Sequence, residues 1–430
     1  MIYRKIHFTG AGGVGVSGLA HIALDMGCDI SCSDAADSAV LQRLREHVAE
    51  RFGEAERRVV VGHMSLPEGT ELLVYSSAVP ESDPERSEAS AKGIPQMRRG
   101  DFLNLLALDF TIRIAVSGSH GKTTTSAMIT HILKRCGMNP GYMIGGNVNG
   151  WSRSASLGGG KILVTEVDES DGSQAGFPAT MAIVMNIDDD HSWGLGGTRS
   201  LERCFIELGL RSRQLLTWRS ETTERLFGEW RKAVLVDAPA NNIPLHGWHN
   251  RINAAMAFKV CEMLGVNAHD ALVALDDFPG VSRRMSERAK STDGSRVLVE
   301  DYAHHPTELD ATLAALRETY PDKRLLVVFQ PHRIERVERY GARFAELLSK
   351  TDWCCVVETF AAWRTDGRTA DVKSLIADKV KPPCPVVANS PEAIAALAAP
   401  VWLEGSPAVL AVIGAGDVTR AIAELQGRIQ

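Results

Sequence analysis

The chain has 430 residues, of which 44% are hydrophobic and 23% are charged, and its formal net charge is −6. This length exceeds what one ordinary hydrophobic core holds, so we expect two to four globular domains. The negative charge disfavours non-specific nucleic-acid binding, which uses a basic face. No apolar run approaches the ~20 residues that span a bilayer, so we expect no membrane insertion.

The cysteines and the N-terminal sequence bear on the cellular compartment in which the protein is expected. None of the 8 cysteines forms a CxxC pair, and most lie inside apolar runs, which favours free buried thiols over disulfides or zinc ligands. The opening MIYRKIHFTGAGG leads directly into a strand–turn pattern without the apolar region of a signal peptide. We therefore expect a cytoplasmic protein, present as a monomer or a weak homodimer.

Strand-like runs alternate with helix-length amphipathic runs, which predicts an α/β fold with parallel sheets. The predicted strands are, in chain order, 5–10, 28–34, 71–79, 111–118, 161–167, 181–187, 295–306, 324–333, 352–360 and 408–417. Boundaries near 110 and 288 predict three domains, 1–110, 111–287 and 288–430. The segment from about 213 to 245 has no clear pattern and is left unassigned.

The first strand is followed by a glycine cluster, FTGAGGVGVSGLA. Gly10, Gly12 and Gly15 form GxGxxG between a strand and a helix, where a helix N-terminus can face a phosphate. Asp34 lies about 20 residues further on, where an acid can hold a ribose hydroxyl. The pattern predicts nucleotide binding but leaves the nucleotide open. It fits a dinucleotide dehydrogenase, and it also fits glycines that merely let a helix pack closely on a strand.

A second glycine loop, GSHGKTTT, follows the strand at 111–118. Backbone amides around Gly118 and Gly121 can cradle phosphates, the Lys122 ammonium can reach the β- and γ-phosphate oxygens, and the Thr123 hydroxyl can bind Mg²⁺. Val116 stands where such loops usually begin with Gly or Ala. The loop predicts ATP as the cofactor.

A magnesium–phosphate site needs oxygen ligands near that loop. The next two predicted strands end in acids, which is where open parallel sheets bind ligands. These residues are Glu166, Asp168, Glu169 and Asp171 after one strand and Asp188, Asp189, Asp190 and His191 after the other. Most of them are expected to cap helices or to face solvent, and one from each strand suffices for a metal site.

The third unit carries DYAHHPTE (301–308) and FQPHR (329–333) at two predicted strand ends. The adjacent histidines allow a zinc site, but no further Cys or His lies at metal-ligand spacing, so a polar pocket at a domain cleft is preferred. Arg333 can pair with a phosphate or a carboxylate, or it can be an exposed arginine without a ligand.

Taken together, these motifs resemble the Mur ligase family. The resemblance rests on HFTGAGGVGVSGLA, GSHGKTTT, EVDESDGS, HNRINA and DYAHHPTE with FQPHR, in this order along the chain. His120 within the phosphate loop is similar to the alanine-adding branch of the family. The resemblance implies a Rossmann-like UDP-binding domain, a central P-loop ATPase domain and a C-terminal Rossmann-like domain that closes over the nucleotide and binds the amino acid.

The resemblance also implies roles for individual residues. Those that would bind the UDP substrate are Gly10, Gly12, Gly13, Gly15, Asp34, Ser76 and Ser77, with His332 and Arg333 for its carboxylate or for the amino acid. Those that would bind ATP are Gly118, Ser119, His120, Gly121, Lys122, Thr123, Thr124, His249, Asn253, Arg284 or Arg283, Asp301 and Tyr302. The implied metal ligands are Thr123, Glu166 and His191, and the implied catalytic residues are Lys122, His191, His304 and Arg333.

The implied reaction joins L-alanine to the lactoyl carboxylate of UDP-N-acetylmuramate through an acyl phosphate, with ATP and Mg²⁺, in peptidoglycan precursor synthesis. The related ligase that adds a whole peptide to the same sugar is one alternative, although FQPHR favours a single amino acid. A non-catalytic nucleotide-sugar sensor is another alternative. It is motivated by Trp193 and Arg364, which depart from the family pattern.

Overall fold

The computed structural model describes residues 2–428 except 54, 170, 171, 191, 241, 242, 244 and 361–367, and only the backbone of 193 and 194. Within these residues the chain forms three separate β-sheets. It divides into two compact units, one made of residues 1–244 and 251–279, the other of 245–250 and 280–430. None of the described helices combines the length and the apolar character needed to cross a membrane.

The first sheet is parallel, with the strand order β3-β2-β1-β4-β5. Its strands are β1 Lys5–Thr9, β2 Asp29–Asp34, β3 Val59–Val61, β4 Leu72–Tyr75 and β5 Gln96–Arg98. Its helices are α1 Val14–Asp25, α2 Ala39–Phe52, α3 Ala55–Arg58, α4 Pro84–Ala91 and α5 Arg99–Ala107. The three strands predicted in this region are confirmed as β1, β2 and β4, whereas the three-residue strands β3 and β5 are too short for a recognisable pattern.

A buried carboxylate joins the strands of the first sheet to α4. Glu85, which is 1% exposed, accepts hydrogen bonds from His7 Nε2 at 3.0 Å, Thr9 Oγ1 at 2.7 Å and the Met64 amide at 2.8 Å. Although burial opposes ionisation, these donors and the hydroxyl of Ser33 lower the pKa of Glu85 to about 2. The network therefore keeps a charged group inside this sheet's core.

The second sheet has the order β12-β11-β10-β6-β9-β7-β8, and only β8 runs antiparallel to its neighbour. Its strands are β6 Ile112–Ser117, β7 Gly141–Met143, β8 Ala155–Ser156, β9 Ile162–Glu166, β10 Met181–Val184, β11 Gln214–Trp218 and β12 Ala233–Val236. The accompanying helices are α6 Lys122–Arg135, α7 Thr198–Arg211, α8 Glu221–Phe227, α9 Trp248–Met263 and α10 Ala268–Asp276. The strands predicted at 111–118, 161–167 and 181–187 are confirmed.

The unassigned segment from 213 to 245 contains β11, α8 and β12. A capping box begins α8, since the Ser220 hydroxyl accepts from the Thr223 amide at 3.2 Å and the Thr223 hydroxyl accepts from the Ser220 amide at 2.9 Å. The helix has only seven residues, which is about two turns and too few for a clear helical period. This strand–helix–strand unit adds β11 and β12 to the second sheet, at the edge opposite β8.

The third sheet has the order β13-β14-β18-β15-β16-β17, with β13 antiparallel to β14. Its strands are β13 Ser286–Lys290, β14 Arg296–Asp301, β15 Arg324–Phe329, β16 Trp353–Val357, β17 Val386–Val387 and β18 Ala408–Ile413. Its helices are α11 Pro306–Thr319, α12 Ile334–Leu348, α13 Val372–Leu375, α14 Pro391–Leu403 and α15 Ala421–Gln426. Buried apolar clusters cover both faces, and the four strands predicted here are confirmed as β14, β15, β16 and β18.

Replacing Glu85 by Gln should destabilise the first sheet by about 2–4 kcal/mol, because an amide cannot accept all the hydrogen bonds that the carboxylate receives. Hydrogen exchange followed by mass spectrometry should then reveal faster exchange in peptides covering β1. Glu81→Gln, at an exposed position before α4, is the matched control.

The difference between Glu85→Gln and the wild type should depend on pH. Glu85 has a folded pKa near 2 against 4.5 when unperturbed, so its stabilisation is complete above about pH 4.5 and is lost as the pH falls towards 2. Equal exchange in the two proteins at pH 7 would contradict this role for the carboxylate.

Candidate active site

The loop between β6 and α6 is shaped by two glycines in the left-handed region. Gly118 has φ +130° and Gly121 has φ +87°. A Cβ on Gly118 would lie 3.0 Å from the backbone of Asn186, and one on Gly121 would lie 2.5 Å from Asn253 Oδ1. Both positions therefore require glycine, and the loop leads directly into the N-terminus of α6, where backbone amides favour an anion.

Lys122 is the first residue of α6, and its ammonium is held beneath the loop. Its Nζ donates to Gly118 O at 2.6 Å and to both carboxylate oxygens of Glu169 at 3.0 and 2.9 Å. Burial lowers the pKa of Lys122, but the charge of Glu169 and nearby acids outweighs it, so the pKa is raised. Lys122 is thus a fixed cation at the phosphate loop.

Glu169 is the partner that holds this lysine. Its side chain is fully buried, and burial raises its pKa to about 7 in spite of the adjacent ammonium. The sequence identified Glu169 only as one of several acids after β9. A lysine ammonium that is shielded from water at a phosphate loop needs a counterion. This requirement could have distinguished Glu169 from the other acids.

Thr123 and Glu166 form a set of hard oxygen donors next to the loop. Thr123 Oγ1 donates to Glu166 Oε2 at 3.0 Å, and Ser126 Oγ approaches Glu166 Oε1 at 3.3 Å. The Gly145 amide also donates to this carboxylate, yet burial raises the pKa of Glu166. A hydroxyl and a carboxylate in contact fit the oxygen ligands that Mg²⁺ prefers.

The end of β10 supports the other side of the loop. Ser119 Oγ donates to Asp188 O at 3.0 Å and lies 2.8 Å from the Asp188 amide. The backbone of His120 exchanges two hydrogen bonds with the Asn186 side chain, at 2.8 and 3.0 Å, and its ring lies 3.2 Å from Asp188. His191, a predicted metal ligand and catalytic residue, lies outside the described residues, as does Asp171.

The helix α9 brings Asn253 to the loop. Its amide oxygen lies 3.3 Å from Thr125 Oγ1, and the side chain is 4% exposed. His249 lies one turn earlier on α9 and is grouped with the second compact unit, and a Cβ on Gly247 would lie only 2.8 Å from its ring. Thr124 is half-buried on the first turn of α6.

The first glycine loop is closed by Asp34. Its Oδ2 accepts from the Gly12 amide at 2.7 Å and its Oδ1 from the Ala36 amide at 3.0 Å. The carboxylate therefore also shapes the loop, beyond its predicted part in ribose binding. Gly13 is the residue before α1, and Ser76 and Ser77 follow β4, half-buried and exposed respectively.

In the second compact unit, several predicted residues surround one aromatic ring. The guanidinium carbons of Arg283 and Arg284 lie 4.8 and 5.0 Å from the centroid of Tyr302. Arg283 has φ +62°, an uncommon backbone conformation for a non-glycine residue. The neighbouring Asp301 accepts from the Met285 amide at 2.7 Å, the Ala303 amide at 2.9 Å and the Thr312 hydroxyl at 3.0 Å, so it fixes the backbone of this cluster.

The same unit groups the two histidines and the arginine of the third-domain motifs. The rings of His304 and His332 lie 5.6 Å apart, and His332 stacks on Phe360 at 5.5 Å. Arg333 has φ +71°, and its amide donates to Phe360 O at 2.9 Å. Such strained non-glycine conformations cost about 1–3 kcal/mol and cluster at functional sites.

Three family models match the chain. They are described as Mur ligase family, catalytic domain, over residues 5–111; Mur ligase middle domain, over 116–214; and Mur ligase, glutamate ligase domain, over 283–416.

Individual proteins match over most of their length. UDP-N-acetylmuramate–L-alanine ligase of Coxiella burnetii is 32% identical over 87% of both chains, and that of Xanthomonas euvesicatoria is 34% identical over 97% of this chain and 94% of its own. Among solved structures, UDP-N-acetylmuramate-alanine ligase of Thermotoga maritima has a TM-score of 0.80 at 23% identity, covering 99% of this chain and 98% of its own. A murein peptide ligase of Psychrobacter arcticus has a TM-score of 0.69 at 19% identity with the same coverage.

Glu169→Gln should tighten the binding of Mg-ATP several-fold, because the phosphates must displace a carboxylate from Lys122 and then lie beside it. Wild-type affinity should fall as the pH rises above about 7, by at most tenfold per pH unit, since Glu169 is then ionised. In Glu169→Gln, this fall in Mg-ATP affinity above about pH 7 should be absent. Titration calorimetry between pH 6 and 8.5 measures both effects.

Glu229→Gln, at an exposed position, is the control for the Glu169 measurement, and the titration of the nucleotide itself is common to all three proteins. Weaker binding by Glu169→Gln would mean that the carboxylate assists the nucleotide instead of competing with it.

Proposed function

The chain belongs to the Mur ligase family, which makes it an ATP-dependent ligase of peptidoglycan synthesis, and on this premise we propose that it joins L-alanine to UDP-N-acetylmuramate. The bond formed is an amide between the lactoyl carboxylate of the sugar and the amino group of alanine. Relatives that carry this name match at 32–34% identity. We place the reaction in the cytoplasm, as the free thiols favour, and take the enzyme as a monomer or a weak homodimer.

The observation that carries the proposal is the phosphate loop with its fixed cation. Gly118 and Gly121 leave no room for a Cβ, the Lys122 ammonium donates to Gly118 O at 2.6 Å, and the loop leads directly into the N-terminus of α6. This cradle fits the phosphates of ATP. Thr123 and Glu166, in contact at 3.0 Å, fit one Mg²⁺, and we retain His191 as the ligand of a second.

The reaction needs activation because a carboxylate is a poor acylating agent. ATP supplies the phosphoryl group that turns the lactoyl carboxylate into an acyl phosphate, and Mg²⁺ neutralises phosphate charge. Lys122 then stabilises the charge that gathers on the transferring group, and Asn253 fixes the loop from α9. Attack by the alanine nitrogen forms the amide bond and releases phosphate.

The alanine ammonium must lose a proton before it attacks, and His304 is suited to accept it. His304 Nδ1 lies 2.9 Å from Tyr302 O and 3.2 Å from a Glu308 carboxylate oxygen. Both neighbours are acceptors, so Nδ1 carries the proton and Nε2 is the basic nitrogen of the neutral ring. Glu308 thus orients this base, and His332 and Arg333 remain our candidates for binding the amino acid or the muramoyl carboxylate.

The remaining site assignments follow the family pattern. The residues proposed for the UDP moiety are Gly10, Gly12, Gly13, Gly15, Asp34, Ser76 and Ser77. Those proposed for the nucleoside of ATP are His249, Asn253, Arg284, Asp301 and Tyr302. We keep three domains, and because β13 belongs to the third sheet, we place the second boundary between Gly280 and Ser286 instead of at 288.

Phosphate release from Mg-ATP should require both UDP-N-acetylmuramate and L-alanine, with lower rates for glycine, L-serine and a tripeptide. Lys122→Ala should reduce the rate by at least 10²–10³-fold, roughly the effect of removing a transition-state charge partner. Lys92→Ala, an exposed lysine on the first domain, is the control.

If no acceptor produces phosphate release although the UDP-sugar binds measurably, the result would favour a nucleotide-sugar sensor instead. Release that responds only to the tripeptide would favour a peptide-adding ligase.

His304→Gln should lower kcat for L-alanine by about 10²–10⁴-fold, the range for loss of a general base. Hydroxylamine needs no base to be nucleophilic, so hydroxylamine-dependent phosphate release should persist in this variant. His269→Gln, at an exposed site, should change neither rate. Equal loss of both rates in His304→Gln would place the histidine in phosphoryl transfer and contradict its assignment as the base.

A further inference from the structure

Two cysteines occupy corresponding positions at one edge of the third sheet. The strands β16 and β17 are parallel with Val356 opposite Val386, and the Val356 amide donates to Pro385 O at 3.0 Å. The same register two residues earlier puts Cys354 opposite Cys384, and side chains two residues apart lie on the same face of a sheet. The pairing of these strands therefore brings together two thiols that are far apart in the sequence.

The packing of the third sheet agrees with this register. Cys354 is 5% exposed and belongs to the apolar cluster on one face of the sheet, and Cys384 packs against the same cluster. Cys355, the next residue of β16, belongs to the cluster on the opposite face. Cys354 and Cys384 are both free thiols, and Cys384 is only half-buried. The pair thus has one thiol enclosed in the core and one that is partly open to solvent.

The spacing of neighbouring strands suits a disulfide bond between these two residues. Adjacent strands lie about 4.8 Å apart, and the Cα atoms of disulfide-bonded cysteines lie roughly 4.4–6.8 Å apart. Two cysteines at corresponding positions on the same face can therefore be joined by rotation of their side chains, without a shift of the strands.

The two thiols differ in their readiness to ionise. A hydrogen bond between their side chains is the largest influence on both, and it lowers the pKa of Cys384 and raises the pKa of Cys354. Cys354 is therefore the donor, and Cys384 is the sulfur that carries negative charge. A thiolate that reaches solvent is the form that oxidants attack. In contrast, burial raises the pKa of Cys136, which is also half-buried.

We propose that Cys354 and Cys384 form a reversible oxidation site for hydroperoxides, in which Cys384 is oxidised first and Cys354 then closes a disulfide with it. In the first step, the Cys384 sulfur attacks the peroxide, an S–O bond forms, and the O–O bond breaks as alkoxide or hydroxide leaves. In the second step, the Cys354 sulfur attacks the Cys384 sulfur, and the S–O bond breaks as hydroxide takes the Cys354 proton and leaves as water. Two thiols and one hydroperoxide thus yield a disulfide, an alcohol or water from the peroxide, and one further water molecule.

The disulfide limits how far Cys384 can be oxidised. A sulfenic acid without a neighbouring thiol can react again to a sulfinic acid, which thiols do not reduce, whereas small thiols do reduce a disulfide. Because disulfides in reducing compartments are usually transient, this bridge is a response to peroxide and not a permanent crosslink. The site is separate from the proposed reaction, since neither cysteine is among the residues assigned to it.

Peptide mapping of the whole chain after brief treatment with hydrogen peroxide and blocking of the remaining thiols tests the proposal. In the wild type, Cys354 and Cys384 should lose two hydrogen atoms and form a disulfide before Cys136 is modified, and dithiothreitol should reverse the change. Fragment masses distinguish Cys354 from Cys355. Cys355→Ala, on the opposite face of β16, is the matched control and should form the same disulfide.

Cys354→Ala should accumulate several-fold more Cys384 with two or three added oxygen atoms, which dithiothreitol does not remove. The wild-type map decides the proposal even if this buried substitution lowers the stability of the protein. Wild-type Cys384 that becomes a sulfinic acid without forming the disulfide would overturn the proposal. So would oxidation of Cys136 before Cys384, or a disulfide from Cys384 to Cys355 instead of Cys354.

Discussion

The parallel pairing of β6 with β9 on one side and β10 on the other is the constraint from which the site follows. The register places Val116 opposite Glu166 and Ser117 opposite Val184. All three strands end at the same edge of the sheet. The phosphate loop, the Glu166 carboxylate and the Asn186 side chain that holds the loop backbone therefore meet there. Shifting either neighbour by one residue would turn its ligands to the opposite face.

The ion pair between the partly buried Lys122 and the fully buried Glu169 adds an electrostatic requirement to that geometry. A buried ion pair contributes little net stability against apolar packing, yet removing one partner is costly. Here the pair holds the lysine in place at the loop when phosphates are absent. Glu169, with a pKa raised to about 7, can take up a proton as phosphates replace it, so the pair accommodates the ligand's negative charge without leaving a carboxylate ionised beside it.

Much of this arrangement could be predicted from the sequence because its signals are local. The glycine loops and the acids after β9 and β10 follow directly from strand–turn–helix patterns, and the three sheets follow from the alternation of strands and helices. The short strands β7 and β8, by contrast, carry no period of their own. The role of Glu169 depends on its contact with Lys122, which lies more than 40 positions away, so the composition around Glu169 could not distinguish it from its neighbours. The division into two compact units likewise depends on long-range packing.

The central claim is that the phosphate loop activates a carboxylate by phosphoryl transfer. The most direct measurement uses UDP-N-acetylmuramate labelled with ¹⁸O in its lactoyl carboxylate, with mass spectrometry of the products after turnover with Mg-ATP and L-alanine. A carboxylate oxygen that attacks the γ-phosphate leaves with it, so the account predicts one ¹⁸O atom in each released phosphate. Label in AMP, accompanied by pyrophosphate, would contradict it, since the carboxylate would then have been activated by adenylation.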